Sequence, residues 1–405
     1  MVWSTMPKTL GTTSTTAHRH MDPNVVGSTP KAKPLAITPS ELFGAAARSS
    51  HLNHINIGVA SPESEVMARL IEQYVDNTSS DFALLSNVKN LKDYVRSYFT
   101  GTVAAGLAYM VMINEGYVWS DHFENIGGGN TKKKPKPDYA FAGPATGLAL
   151  MEAKGSRSGS LGRFDSTVLD GYSRQVEPHL GHSVGSQLAV RGYSIGAWMK
   201  SSTCAELRVH HTAPPVQAQP TTQSAPAASG AAVSAIVQRN NFATAFGLVH
   251  SPLLSQAIRH DDLYIGETEA VILLRFRWLG QYWLTSPRLP LRRWDDITVV
   301  PHILRNLGYW PWQDPFIRPQ MFAIREDIAT AVLRSYLDGN VETDRIHTQF
   351  EVVGDDLRSL ARAEDLEGAG GAIFPDGLAL VGYRADIDEQ NLVVWRRGES
   401  DLESW

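Results

Sequence analysis

The chain has 405 residues, and 37 Lys and Arg against 42 Asp and Glu give a net charge of −5, which excludes a histone-like coat for nucleic acid. Hydrophobic residues make up 43%, enough for a sizeable core and too many for wholesale disorder. The single cysteine, Cys204, rules out an internal disulfide and a four-cysteine zinc site.

Residues 1–49 read as a flexible tail, because six of the first sixteen are threonine and no apolar run suggests a secretory signal. Order is expected from about Ser50. Ser61-Pro62 suits the N-cap and first turn of a helix with apolar positions Val66, Met67, Leu70, Ile71 and Tyr74. Residues 87–98 repeat that spacing with Val88, Leu91, Tyr94, Val95 and Tyr98, and residues 103–115 form a nearly all-apolar helix, hence buried. Its apolar stretch of eleven residues, 103–113, falls short of the ~18–20 that a membrane span needs. A soluble, cytoplasmic protein is therefore expected.

A strand at 117–123 precedes a Gly/Lys loop at 126–136. Strands at 137–142 and 148–154 follow, joined by the turn Gly143-Pro144-Ala145-Thr146-Gly147. A helix at 166–177 stops at Pro178, and 192–199 is another strand. The order is α-β-β-β-α-β across a first domain, residues 50–212. Residues 213–235 hold no charge and no aromatic side chain and read as a linker or disordered loop. Residues 236–405 read as a C-terminal α+β domain, in which Trp278, Trp283, Trp294, Trp310 and Trp312 suggest core rather than a base-stacking platform. Its helix at 240–254 could pack back on the first domain. Between residues 131 and 211 eleven Lys and Arg outnumber six acids, whereas residues 351–405 carry five Arg and thirteen acids. A basic middle fits an anionic ligand, and solvated faces of opposite sign fit equally well.

The chemistry concentrates in Pro137-Asp138 and Glu152-Ala153-Lys154. Alternate residues of a strand share a face, so Glu152 and Lys154 point the same way. The turn centred near Ala145 would pair residues whose numbers sum to about 290, which sets Asp138 opposite Glu152. Two carboxylates a few ångströms apart repel, and a hard divalent cation relieves this most simply. A lysine beside them could orient or deprotonate water and offset charge growing on a phosphate. Glu152-Ala153-Lys154 is the sole acid-x-Lys triplet in the chain.

These residues resemble the PD-(D/E)XK phosphodiesterase superfamily, the restriction-endonuclease-like fold, over roughly residues 65–211. The resemblance implies a three-layer α/β core with a mixed sheet, and Mg²⁺ or Mn²⁺ held by Asp138 and Glu152. It implies Lys154 acting on water and transition-state charge, and Gln175 as the polar residue on the following helix. A glutamate from the first core helix is implied too, with Glu72 and Glu115 as candidates. The activity implied is phosphodiester hydrolysis, mostly on DNA.

Lys132, Lys133, Lys134 and Lys136 precede Asp138 and suit phosphate-backbone contact, extended by Arg157, Arg163 and Arg174, although a basic run is often merely solvated. Gly181-His182-Ser183-Val184-Gly185 matches the nucleophile elbow of serine hydrolases, with His210, His250 and His302 downstream, but no apolar strand precedes it. His51, His54, His210 and His211 read as surface or satisfied histidines. Phe374-Pro375-Asp376 repeats the Pro-Asp pair without an acid-x-Lys and is assigned no chemistry. A non-catalytic nucleic-acid-binding or assembly protein is the alternative from another class, and the C-terminal domain could serve a protein partner or oligomer.

Overall fold

The computed structural model describes residues 3, 6–18, 34–50, 57–130, 134–143, 147–157, 159–185, 187–200, 205–212, 235–260, 270–286, 321–337, 352–366, 370–382, 385–396 and 402–404. Strands β1 (Lys8–His18) and β2 (Leu35–Ile37) come first, then helices α1 (Pro39–Ser50), α2 (Ile57–Tyr74) and α3 (Asp93–Asn114). Next are β3 (Trp119–His122), the short α4 (Phe123–Ile126), β4 (Tyr139–Ala142), β5 (Leu148–Ser156), α5 (Leu161–Gly171), β6 (Ser183–Val184), β7 (Gln187–Trp198) and β8 (Glu206–Thr212). The remainder supplies α6 (Ala235–Leu248), α7 (Pro252–His260), β9 (Ala270–Trp278), β10 (Gln281–Thr285), β11 (Met321–Arg325), α8 (Glu326–Leu337) and α9 (Asp355–Leu366). Strands β12 (Ala372–Ile373), β13 (Leu378–Val381), β14 (Asp388–Arg396) and β15 (Glu403–Ser404) complete it.

The architecture is mixed α/β with two sheets. The first is a mixed sheet in the order β2-β1-β8-β7-β5-β4-β3, with β6 added on β7. Its central pair β5 and β7 is parallel, while β3, β4 and β5 run as an antiparallel meander. Leu148, Ala149, Leu150 and Met151 are all buried, the continuous apolar run expected of a strand covered on both faces. The covers are α3 on one side, where Gly155 closes on Thr100 and Ala104, and α5 on the other, where Gly171 closes on Glu152 and Lys154. The second sheet is antiparallel throughout, in the order β12-β13-β11-β10-β9-β14-β15. Helix α6 touches both sheets, and α1 packs on the second sheet and accepts a bond at the Ser49 carbonyl from the Tyr139 hydroxyl on β4; one apolar cluster runs from Trp3 to Trp395.

The structure corrects several expectations. Within the stretch expected to be a tail, β1 pairs in parallel with β8 and antiparallel with β2, and α1 is almost wholly buried. Thr9, Thr12, Thr13, Thr15 and Thr16, read as signs of disorder, are β-branched and serve strand β1 instead. Helix α2 begins at Ile57, so Pro62 lies inside it rather than in its first turn. The helices expected at 87–98 and 103–115 are replaced by a 3₁₀ turn, Ser86–Asn90, and the single long α3. Tyr94 and Tyr98, expected on an apolar face, are exposed, as is Val66.

Residues 213–234 lie outside the described set, and Ala235 already belongs to α6. The second half is stitched to the first by a buried polar network. Arg48 on α1 is ion-paired with Asp376 before β13, and both are buried. Asn241 on α6 accepts from Arg48 Nη2 (2.6 Å) and from the Ser120 N–H (3.0 Å), and donates to Asp376 Oδ2 (2.8 Å). Its neighbour Asn240 donates to Asp121 Oδ2 at 2.6 Å. The second Pro-Asp pair thus holds the fold together. Trp278 and Trp283 are buried core residues as expected, while Trp294, Trp310 and Trp312 lie outside the described residues.

Candidate functional site

The β4–β5 hairpin places the carboxylate pair. Tyr139 faces Met151, Ala140 faces Leu150 and Phe141 faces Ala149, so partner numbers sum to 290 and the next pair outward is Asp138 and Glu152. The Asp138 N–H donates to Glu152 Oε2 at 3.1 Å, and the Ala153 N–H donates to Asp138 Oδ2 at 2.9 Å. Each carboxylate is thereby oriented by the other strand's end of the hairpin.

Lys154 shares the Glu152 face. Its Nζ is ion-paired with Glu152 Oε1 and donates to Gln175 Oε1 at 3.0 Å. Gln175 in turn donates through Nε2 to the Lys136 carbonyl at 3.1 Å. Asp138, Glu152, Lys154 and Gln175, named from sequence alone, therefore form one connected cluster. Gln175 reaches it because the helix does not run regularly to Pro178. After Gly171 it widens into an i→i+5 turn over Tyr172–Val176, then tightens into a 3₁₀ turn at Glu177–His179. Gly171 lets the turn approach closely there: a Cβ would lie 2.9 Å from Ser194 Oγ, 3.2 Å from Lys154 Cε and 3.3 Å from Glu152 Cγ, so these side chains would have to shift.

Electrostatics set this site apart from an ordinary strand end. Glu152 is 1% exposed. Burial, and next the Asp138 charge, raise its carboxyl to about 7 despite Lys154. Burial raises Asp138 as well, opposed by the Ala153 N–H and by Lys154. Tyr139 is pushed up by burial and then by the two carboxylates.

The remaining candidates divide. Glu72 is engaged with Arg69 on α2 at 2.8 Å, and Glu115 caps the end of α3; neither is among the charges that shift the pair. The acid whose charge does reach Asp138 is Glu124 on α4, which sequence reasoning missed because α4 is a single turn. Lys134 and Lys136 are exposed on the segment entering Asp138, and Lys132 and Lys133 lie outside the described residues. Arg163 is exposed, and the exposed Arg174 pairs with Asp170 at 3.3 Å. Arg157 is half-buried, with Nε donating to the Met199 carbonyl at 3.2 Å.

Ser183 is not at a nucleophile elbow. It lies in β6, hairpinned onto β7, with neither a strand-to-helix turn nor a helix after it. His210 and His211 are buried and bonded, His210 to Asp165 at 3.1 Å and His211 to the Thr212 carbonyl at 3.0 Å. His51, His54 and His302 fall outside the described residues. Among the described residues no group of three or more His, Cys, Asp and Glu side chains gathers as a metal site, and no helix is long and apolar enough to cross a membrane.

Comparison with protein-family models, with curated proteins and with solved structures gives no match.

Proposed function

We propose that the chain is a divalent-metal-dependent nuclease that hydrolyses phosphodiester bonds of DNA, built on a restriction-endonuclease-like core of α3, β3, β4, β5, α5 and β7. One observation carries this reading: the Asp138–Glu152 carboxylate pair, with Lys154 bonded to Glu152 on one side and to Gln175 on the other.

The donor set fits a hard divalent cation. Two oxygen-donor carboxylates share a poorly solvated spot, and one positive side chain leaves Glu152 raised to about 7, an imbalance that a bound cation relieves. Asp138 and Glu152 would hold it; two protein ligands with the remaining positions left to water and phosphate suit Mg²⁺, which sheds water reluctantly. When bound, it supplies Lewis-acid stabilisation of charge on a phosphoryl oxygen.

The chain's own groups do the rest. Lys154 Nζ, a donor with no acceptor capacity while charged, is held between Glu152 and Gln175 with its head partly exposed, able to hold a water or stabilise a phosphate oxygen. Gln175 fixes Lys154 and at the same time ties the Lys136 main chain to the site. Lys134 and Lys136 offer sequence-independent contacts to the phosphate backbone. The reading is tested by incubating the purified protein with plasmid, single-stranded DNA and RNA, each with Mg²⁺ or EDTA. Mg²⁺-dependent, EDTA-sensitive DNA cleavage supports it; nucleic-acid binding without cleavage supports a non-catalytic binder instead.

A further inference from the structure

His179 lies beyond every residue given a role so far, and its surroundings are unusually specific. It ends the 3₁₀ turn after α5, is 1% exposed, and stacks edge-on against Phe123 with ring centroids 5.2 Å apart. Its Nδ1 accepts the main-chain N–H of Asn130 at 3.0 Å, and its Nε2 lies 2.9 Å from the carbonyl of Pro135. An N–H is already aimed at Nδ1, so that nitrogen carries no proton. A carbonyl can only accept, so Nε2 must donate. The ring is therefore neutral and of one tautomer. Burial first, then the nearby His182 and Lys136, hold its pKa below the ordinary histidine value, which favours that neutral form.

The two main-chain groups it grips lie before the lysine run and within it, between Lys134 and Lys136. Asn130 is tied down again through Nδ2 to the Pro178 carbonyl at 3.0 Å, and the Gly129 N–H reaches the Ser183 carbonyl at 2.6 Å. Gly129 takes φ +75°, and a Cβ there would meet His179 Nδ1 at 2.5 Å, so only glycine admits this approach. One residue past the Pro135 carbonyl, Gln175 holds Lys136, and two residues further stands Asp138.

We propose that His179 is a positioning residue for nucleic-acid binding: as the Nε2–H tautomer it clamps Asn130 and Pro135, and so presents Lys134 and Lys136 to a phosphate backbone beside the carboxylate pair. The proposal rests on the nuclease reading for its ligand, not for its geometry. It requires His179→Phe, which keeps a ring packed on Phe123 but loses both polar bonds, to act mainly on substrate binding. His179→Gln, with one acceptor and one donor at similar spacing, should recover part of the loss.

The experiment has an arm that needs no activity. Imidazole ¹⁵N spectra of the wild-type protein should show His179 protonated on Nε2, and hydrogen exchange should show the Asn130 amide protected in wild type and released in His179→Phe. In the cleavage arm, His179→Phe should raise KM for DNA about tenfold with kcat within about threefold, and lower the salt-dependence slope by up to ~2, about 0.9 for each of two lysine contacts. An Nδ1–H tautomer overturns the clamp. So does an unchanged KM and slope once the Asn130 amide is released, or a fall in kcat that matches the loss in kcat/KM. If the wild-type protein neither binds nor cleaves DNA, the nuclease reading fails, while the tautomer and amide measurements still decide the clamp.

Discussion

Asp138 and Glu152 hold each other in place through the main chain: the Asp138 N–H donates to Glu152 Oε2, and Asp138 Oδ2 accepts from the residue that follows Glu152. Each carboxylate has one oxygen committed to orientation, and Glu152 has its other oxygen against Lys154. The arrangement is fixed by hairpin register, so a one-residue slip would turn Glu152 and Lys154 to the opposite face of the sheet.

Holding Glu152 charged at this site costs stability, which gives a pH dependence of definite sign. Its folded-state pKa, about 7, lies above the ordinary carboxylate value of 4.5, so the folded chain binds the extra proton between those limits. Stability from this group is full below about pH 4.5 and falls as pH rises through about 7, by up to about 3 kcal/mol at ~1.4 kcal/mol per unit. Metal-free melting curves in EDTA should show Tm falling over that window, and Glu152→Gln should flatten the fall. A wild-type Tm that rises steadily from pH 5 to 7.5 in EDTA, with no difference from Glu152→Gln, would contradict this.

The buried network across α1, β3, α6 and the Asp376 turn makes the two halves one folding unit. Asp376→Ala leaves the Arg48 guanidinium buried without its counter-charge and should lower stability by about 3–5 kcal/mol. Proteolytic cutting within residues 213–234 should leave the fragments associated on size exclusion. Fragments that separate without denaturant, each retaining its helical circular dichroism, would mean two independent domains.

Changing Lys132, Lys133, Lys134 and Lys136 together to alanine should weaken binding about equally at all DNA sequences. The salt slope should flatten by up to roughly four units in total, at ~0.9 per phosphate contact. Binding that loses sequence preference but keeps its slope would assign the run to something other than backbone contact.

Much of this was legible in the sequence, and the reasons differ by residue. The turn centred on Ala145 fixes the hairpin sum, and two-residue alternation fixes the shared face of Glu152 and Lys154, so local rules suffice for the site's core. The N-terminal strand was not legible, because Thr9, Thr12, Thr13 and Thr15 suit disorder and an extended strand alike until β8 supplies the partner. Helix α3 runs through Gly101 because α1 and the sheet bury the turns that follow, and tertiary packing overrides a weak local break. Asn240 and Asn241 are buried in α6 and bond across to the first half, since buried amides need partners. His179 gave no sequence signal, as both its partners are main-chain groups of a distant loop.

In the proposed nuclease, metal binding and catalysis separate most sharply at Lys154, which would act beside the cation without ligating it. The decisive measurement is the Mg²⁺-induced Tm shift and the DNA cleavage rate, taken side by side for wild type, Asp138→Ala and Lys154→Ala. Wild type should gain Tm and cleave; Asp138→Ala should lose both. Lys154→Ala should keep the Tm shift and lose turnover by roughly 10²–10⁴-fold, the scale of one positioned acid–base or charge-stabilising group. Normal cleavage by Lys154→Ala, or a Tm shift that survives in Asp138→Ala, would contradict the hairpin site.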